Sequence, residues 1–226
     1  MFKKIFNVWK REGLLKQALE NIEEMFTMVS INFDNATEEL IENLNVKRAK
    51  IYLTDQKINE CEKRVRRKVL EHLTINPKQD TTYSLIMITV AKDIERIGDY
   101  VKNIVELAHH HPKKISQDSY TRKLLEIRKK MSDILQNAHD VFEKGDVDAA
   151  KEYYKYYRVV TEQTDALIVH IMDSKDLSVR DAVVYALFSR YLKRISAHLA
   201  NILTTVINPF HEVGYGYDEY KDKEIQ

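Results

Sequence analysis

Six long segments of this chain carry an apolar residue at every third or fourth position, and this period constrains the fold more than any other feature of the sequence. In the first segment the apolar stripe runs from Leu14 through Ile22, Val29 and Phe33 to Leu44, which is the spacing of one face of an amphipathic α-helix. The 226 residues include only five glycines and three prolines, too few turn formers for a protein of many short strands. The pattern therefore predicts an all-α protein with long helices and short connections.

The helix boundaries follow from the residues that interrupt this period. Asp80 or Thr81 is placed to cap the third helix, and Pro112 is placed to stop it. The predicted helices span residues 14–45, 47–73, 81–109, 118–143, 147–172 and 178–206. Because short connections join antiparallel neighbours, the six long helices are expected to form two tandem antiparallel three-helix bundles.

The two sets of helices also repeat each other in sequence. Residues 94–104 align without a gap on residues 192–202, and the recurring residues are Arg96, Ile97, Asn103 and Ile104 in the first segment and Arg194, Ile195, Asn201 and Ile202 in the second. This repetition indicates duplication of a three-helix unit. The chain is accordingly divided into an N-terminal segment (1–12), a first repeat (13–111), a degenerate second repeat (112–207) and a flexible C-terminal tail (208–226).

The charge balance and the single cysteine limit the classes of function. Lys and Arg number 36 against 35 Asp and Glu, so no overall positive field would recruit nucleic acid. Cys61 has no second cysteine with which to form a disulfide in the chain, and no apolar run has the length of a signal-peptide core or a membrane span. We expect a cytoplasmic protein that does not bind nucleic acid.

The N-terminal segment combines apolar and basic side chains. Its apolar residues are Phe2, Ile5, Phe6 and Trp9, and its basic residues are Lys3, Lys4, Lys10 and Arg11. A short helix of this composition could lie on an anionic membrane surface as a peripheral contact. We favour the alternative in which it packs on the bundle, because short apolar stripes usually face inward.

Glu95 and Asp99 lie one helical turn apart in the most apolar of the predicted helices, and two stacked carboxylates need a partner. If the second and third helices form an antiparallel hairpin centred near Pro77, then Asp55 lies opposite Asp99 and Asn59 lies opposite Glu95. Three carboxylates and one amide oxygen then share one level of a two-helix face.

Oxygen ligands in such a stripe favour a divalent metal ion or cluster of iron, manganese or magnesium. The candidate ligands are Asp55, Asn59, Glu62, Glu95, Asp99 and Asn103. Partners other than a metal remain open, since the same carboxylates could form a solvated rim paired with Lys92, Arg96 or Lys102, where ion pairs contribute under about 1 kcal/mol.

The second repeat has lost these acids. The same hairpin arithmetic, centred near Leu177, brings Arg158 against Ala197 and Glu162 against Lys193. Lys193 stands where the first repeat has Glu95. We therefore predict a Glu162–Lys193 ion pair here and at most one metal cluster per chain, on the first repeat.

The string Glu95-Arg-Ile-Gly-Asp99 followed by Asn103-Ile104, and preceded by Asp55 and Ile58, resembles the PhoU family of phosphate-transport regulators. The resemblance covers roughly residues 13–206, including the tandem three-helix plan. Two departures are Asn59, where the family usually has an acid, and the second repeat, which keeps only the Arg-Ile and Asn-Ile frame.

The resemblance implies an all-helical bundle whose acidic motifs hold metal ions, and a protein that acts without turnover. Its implied partners are a membrane phosphate transporter and, in many bacteria, a sensor histidine kinase. Such an adaptor would damp phosphate uptake or the phosphate-starvation response. A homodimer is among the assemblies we expect for such a chain.

Two other functions stay open: a carboxylate-bridged metalloenzyme and a metal-free helical scaffold. We expect no enzymatic activity, because the sequence has no glycine-rich phosphate loop, no Glu-x-x-His pair and no histidine that can be placed beside Cys61. Three consecutive histidines, 109–111, end the third helix. We favour their interaction with the negative helix end over a transition-metal site.

Overall fold

The computed structural model describes residues 13–44, 48–76, 78, 80–116 and 118–216, and within these ranges its regular structure is entirely helical. The helices are α1 (Leu14–Glu42), α2 (Arg48–Ile75), α3 (Thr81–His110), α4 (Arg122–Lys144), α5 (Val147–Met172) and α6 (Val179–Ile207), followed by a short 3₁₀ helix (Phe210–Glu212). The predicted all-α architecture is confirmed. The prediction for residues 1–12 lies outside the described residues.

Each set of three helices packs through the apolar stripe that the sequence predicts. In the first repeat α1 packs against both α2 and α3, and its inward face includes the fully buried Ile22, Met25, Val29 and Phe33. In the second repeat α6 packs against α4 and α5. None of the described helices combines the length and the apolar composition that a membrane span requires.

Two helix starts and one helix end follow the expected local chemistry. The side chains of Asp146 and Ser178 accept hydrogen bonds from backbone N–H groups in the first turns of α5 and α6, as N-caps do. Gly145 ends α4 in the left-handed conformation, at φ 61°, which glycine adopts without strain. Asp80 occupies the N-cap position of α3, as one of the two predicted alternatives, but its side chain makes no capping bond and instead lies 3.4 Å from His72 Nε2.

The two repeats meet where α3 crosses α6, a contact that we call the seam. The helices run antiparallel there, because Asp93 contacts His198 while Tyr100 further along α3 contacts the earlier Tyr191. Asp93 Oδ1 lies 2.8 Å from His198 Nδ1 and accepts a bond from Asn201 Nδ2 at 3.2 Å. The buried Asp93 and its two half-buried partners therefore hold one half of the seam, and aromatic rings hold the other.

A second polar contact joins the repeats between α1 and α4. Asp34 on α1 accepts hydrogen bonds from Arg128 at 3.2 Å and from the Ser132 hydroxyl at 2.6 Å. Arg128 also donates to the hydroxyl of Thr37, at 2.8 Å. Since the ion pair is charge-assisted and half-buried, it fixes the orientation of α4 against α1.

The first nine residues of the predicted tail fold back along α6. Asn208 Nδ2 donates to the carbonyl oxygens of Glu212 and Tyr215, at 3.1 and 3.2 Å. The backbone N–H of Gly214 donates to Thr204 Oγ1 at 2.9 Å. The flexible tail predicted for 208–226 therefore begins with a folded turn, and residues 217–226 lie outside the described residues.

His111 differs from its two neighbours in the histidine run. His109 and His110 are exposed in the last turn of α3, whereas His111 is 1% exposed and neither of its ring nitrogens has a hydrogen-bond partner. Burial lowers the pKa of His111. The positive charges of Lys113 and Arg180 lower this pKa further, whereas the negative charge of Asp181 raises it without cancelling the effect of burial. His111 is therefore packed as a neutral ring at the junction of the repeats.

Acidification is expected to destabilise the protein through His111. Well above pH 6.5, the ordinary pKa of histidine, the ring is neutral in both the folded and the unfolded protein. At lower pH the unfolded chain binds a proton at this ring that the folded protein does not bind. The free energy of unfolding therefore falls as the pH falls, by at most about 1.4 kcal/mol per pH unit. Urea unfolding of wild type and His111→Gln between pH 7.5 and 5.5 measures this. The free energy of unfolding of His111→Gln should depend less on pH than that of wild type, and His110→Gln should keep the wild-type dependence. The same pH dependence in wild type and His111→Gln would contradict the neutral, buried state of His111.

Candidate metal centre on the first repeat

The structure brings together the carboxylates that the hairpin register predicts. Asp55 on α2 and Asp99 on α3 contact the same ammonium group: Lys102 Nζ lies 2.9 Å from an oxygen of each. Asp55 and Asp99 therefore face each other across the two helices, with a lysine between them. We call the set Asp55, Asn59, Glu62, Glu95 and Asp99 the acidic face.

A second lysine holds the other half of the acidic face. Lys92 Nζ lies 2.7 Å from Glu95 and 3.9 Å from Glu62. Arg96 contacts Asp99 at 3.1 Å and Glu95 at 3.8 Å, and Arg66 contacts Glu62 at 2.5 Å. Each of the four carboxylates thus has at least one cation from its own or the neighbouring helix.

The two predicted amide ligands lie at different places. Asn59 Nδ2 lies 3.5 Å from Asp55 Oδ2, within the acidic face and at the limit of a hydrogen bond. Asn103 lies one turn beyond Asp99, in the wall of a surface concavity of about 380 Å³. That concavity is lined by Tyr52, Arg96, Asp99, Tyr100, Lys102, Asn103 and Glu106.

Two oxygen atoms of the acidic face are buried without a partner. They are Oδ1 of Asp55 and Oδ1 of Asn59, and the Asp55 side chain is only 8% exposed. Asp55 Oδ1 lies beside Gly98: a β-carbon built on Gly98 would be 3.4 Å from that oxygen. Buried oxygens usually have partners, so this pair is the feature of the site that most suggests a cation.

The charge states follow from burial and from the shared lysine. Burial raises the pKa of Asp55, and Lys102 offsets this only in part. Burial by itself would lower the pKa of Lys102, but its bonds to Asp55 and Asp99 outweigh that effect and raise it. The two upward pKa shifts are consistent with each other. Lys102 contacts two carboxylates, which favour its charged form, whereas Asp55 has only one ammonium group nearby and keeps one oxygen without a partner.

The donor set suits a hard divalent cation in one respect and not in another. Carboxylate and amide oxygens are the ligands that such ions prefer, and two of these oxygens lack a partner. Yet no three His, Cys, Asp or Glu side chains among the described residues are arranged to hold a metal ion. Lys92 and Lys102 lie among the carboxylates instead, so a cation fits only where an ammonium group has moved away.

The second repeat differs from the prediction in one ion pair. Lys193 does not pair with Glu162 as predicted: its ammonium group contacts both oxygens of Asp165, at 2.6 and 2.7 Å. Asp165 lies one turn further along α5 on the same face, so the error is one helical turn. Lys193 does stand at the position of Glu95, and the second repeat has Ala197 where the first has Asp99.

Sequence reasoning missed the seam between the repeats. Asp93, His198 and Asn201 each sit in an apolar helix, and no motif links them. The signal that could have found them is the burial of Asp93, which lies at a position of the apolar stripe and must have a hydrogen-bonding partner. Its partners lie more than 100 residues away in sequence, beyond the reach of hairpin arithmetic.

Comparison with known proteins gives the family of this chain. A model of the PhoU domain matches residues 22–108 and again residues 124–206. The chain belongs to the PhoU family. The two matches fall one on each repeat, so the second repeat is a PhoU domain even though its acidic residues are replaced.

PhoU-family relatives match along most of the chain. The phosphate-specific transport system accessory protein PhoU homolog 1 of Thermotoga maritima is 26% identical over 206 residues, which cover 88% of each chain. The PhoU homolog of Synechocystis, also named a phosphate-specific transport system accessory protein, is 23% identical and is covered to 88%.

Two crystal structures share the fold of this PhoU-family chain. PhoU from Pseudomonas aeruginosa superposes with a TM-score of 0.76 at 20% identity, covering 85% of this chain and 95% of its own. The phosphate transport system regulatory protein PhoU from Streptococcus pneumoniae gives a TM-score of 0.71 at 16% identity, covering 91% of this chain and 99% of its own.

Proposed function

We propose that this chain is a non-enzymatic cytoplasmic regulator of phosphate uptake and phosphate-starvation signalling that acts by contact with a membrane phosphate transporter, and with a sensor histidine kinase where one is coupled to it. The observation that carries the proposal is the PhoU domain match to both repeats. The names of two relatives, accessory proteins of phosphate-specific transport, support the same role. A homodimer remains part of the proposal, and contact of residues 1–12 with a membrane surface stays the less favoured alternative to packing on the bundle.

An exposed stripe on α6 is the contact surface that we propose. Val179, Val183 and Leu187 are 82%, 50% and 37% exposed, and the exposed Arg190 and Arg194 continue the stripe on the same helix face. Exposed aliphatic side chains in a row mark interaction surfaces. The partner that fits is an amphipathic helix of the transporter with apolar residues followed by carboxylates.

The residues of this stripe differ between the two repeats. In the ungapped alignment of α3 and α6, the residues that correspond to Val179, Val183, Leu187, Arg190 and Arg194 are Thr81, Leu85, Thr89, Lys92 and Arg96. The basic positions are kept, whereas two of the three apolar positions are threonine in the first repeat. An apolar contact therefore fits the second repeat better than the first.

We also propose that the acidic face binds a divalent cation, with iron, manganese and magnesium as candidates. Asp55, Asn59, Glu95 and Asp99 would hold it, with Glu62 and Asn103 at its margin. When bound, the metal would supply a positive charge shared by α2 and α3. The bare oxygens of Asp55 and Asn59 support this; the ion pairs of Lys92 and Lys102 oppose it until they are displaced.

The proposed function is tested by co-purification with the phosphate transporter of the same organism and by phosphate uptake in cells that lack this chain. We expect the transporter to co-purify with the wild type and with Leu85→Glu but not with Val183→Glu, because the two substitutions are equivalent and only the second falls on the proposed surface. Uptake at high external phosphate should rise in cells that lack the chain or carry Val183→Glu. No co-purification together with unchanged uptake would contradict the function; equal loss in both variants would contradict the surface.

A further inference from the structure

We infer that Lys102 is the built-in cation of the acidic face: its ammonium group stabilises the metal-free protein by joining α2 to α3, and it competes with any divalent ion for Asp55 and Asp99. The competition rests on the proposed cation site, whereas the stabilisation rests on the ion pairs alone. Lys102 thereby determines how strongly this chain binds metal.

The geometry around Lys102 is that of a bridging cation. Its nitrogen lies 2.9 Å from Asp55 on α2 and 2.9 Å from Asp99 on α3, so one positive charge is shared by two carboxylates on different helices. The Lys102 side chain is 23% exposed and that of Asp55 is 8% exposed. Ion pairs at this depth are screened less than exposed pairs, and an uncompensated buried charge is strongly destabilising.

Lys92 makes the same kind of contact, but with less symmetry. Its nitrogen is 2.7 Å from Glu95 on its own helix and 3.9 Å from Glu62 on α2. Glu62 has a second cation in Arg66, at 2.5 Å. Loss of Lys92 would therefore leave Glu62 paired with Arg66. Loss of Lys102 would leave Asp55 without an ion pair to any of the described residues.

The balance of charge explains why an ion must compete. The four carboxylates of the acidic face contact four cations, namely Lys92, Lys102, Arg96 and Arg66. No net negative charge is left over to attract a divalent ion. Without the Lys102 ammonium group, the acidic face would have a net charge of −1, next to the two oxygens that already lack a partner.

The second repeat gives independent support for a Lys102–Asp99 unit. In the alignment of α3 and α6, Asp99 corresponds to Ala197 and Lys102 corresponds to Ala200. The carboxylate and the ammonium group are therefore absent together in the second repeat. This joint replacement is what we expect if the two side chains act as a pair.

The experiment compares wild type with Lys102→Met and with the control Lys130→Met, which breaks an exposed 3.2 Å pair with Asp133. In EDTA, Lys102→Met should melt at least about 3 °C below wild type, and the control should melt with wild type. Titration with Mn²⁺ should give an affinity at least about tenfold tighter for Lys102→Met than for wild type, since the competing charge is gone. Mn²⁺ should also restore the melting temperature of that variant.

Two further variants keep the test decisive if Lys102→Met folds poorly. Lys102→Arg keeps the charge and should retain the wild-type melting temperature in EDTA. The double variant Asp99→Ala with Lys102→Ala copies the second repeat. Its loss of stability in EDTA should be smaller than the sum of the losses in Asp99→Ala and Lys102→Ala measured singly, as coupling between the two side chains requires. Equal melting of wild type and Lys102→Met in EDTA overturns the stabilising role. If Lys102→Met and wild type bind Mn²⁺ with the same affinity, or if neither binds it, then Lys102 does not compete with a divalent ion. Co-purification with the transporter is a separate measurement and tests only the proposed function.

Discussion

Phe188→Ala is expected to lower the free energy of unfolding by about 3–5 kcal/mol, the largest effect of any substitution considered for this chain. Phe188 lies on α6 and is fully buried, in the helix that packs against α3, α4 and α5. Truncation removes the transfer free energy of the ring and leaves a cavity in the core that the surrounding side chains fill only in part. Urea denaturation monitored by circular dichroism at 222 nm measures the change.

The neighbouring residue gives a matched control. Leu187 is 37% exposed, so Leu187→Ala should cost less than about 1 kcal/mol while falling on the proposed partner surface. The pair therefore separates stability from binding: Phe188→Ala should weaken the fold, and Leu187→Ala should weaken co-purification. Equal losses of stability in the two variants would show that α6 does not pack as described.

Asp93→Ala is expected to destabilise the protein by about 2–3 kcal/mol through the seam between the repeats. Asp93 is 8% exposed, and its Oδ1 atom is shared by His198 and Asn201. Removing the carboxylate leaves both polar side chains without this partner at a half-buried contact. Thermal and urea unfolding measure the loss.

The control for Asp93→Ala is Asp133→Ala, which removes an exposed carboxylate from α4 and should change stability by no more than about 0.5 kcal/mol. Asp93→Asn keeps the size of the side chain and one acceptor oxygen, so it should fall between the alanine variant and wild type. A stability of Asp93→Ala within error of the control would show that the seam is held by its aromatic half alone.

The fold was predictable because each helix carries its own period and its own stop signals. α5 begins at Val147 and ends at Met172, as predicted, since Gly145 and Asp146 mark the start in the sequence itself. Asp80 stands at the predicted N-cap position of α3, but its side chain makes no capping bond because its backbone is left-handed, at φ 58°, whereas a capping residue typically has an extended backbone. No local pattern in the sequence reports that backbone conformation.

The sequence was enough to predict which residues of the site share a helix face, but not which side chains contact each other. Antiparallel pairing placed Asp55 near Asp99 correctly, because the register of a hairpin is set by its turn. It failed by one turn for Lys193, whose partner is Asp165 and not Glu162, because α5 presents the same face again every 3.6 residues. Which lysine would bridge two carboxylates depends on side-chain conformations that spacing does not determine.

The return of the chain along α6 after Asn208 has a practical consequence for labelling. A β-carbon built on Gly216 would lie 3.6 Å from the hydroxyl oxygen of Tyr154, so the backbone at that point runs beside α5 and not away from the end of α6. A fluorophore attached near Gly216 would therefore report on the flank of the second repeat, where the environment of Tyr154 would change if α5 and α6 were to separate.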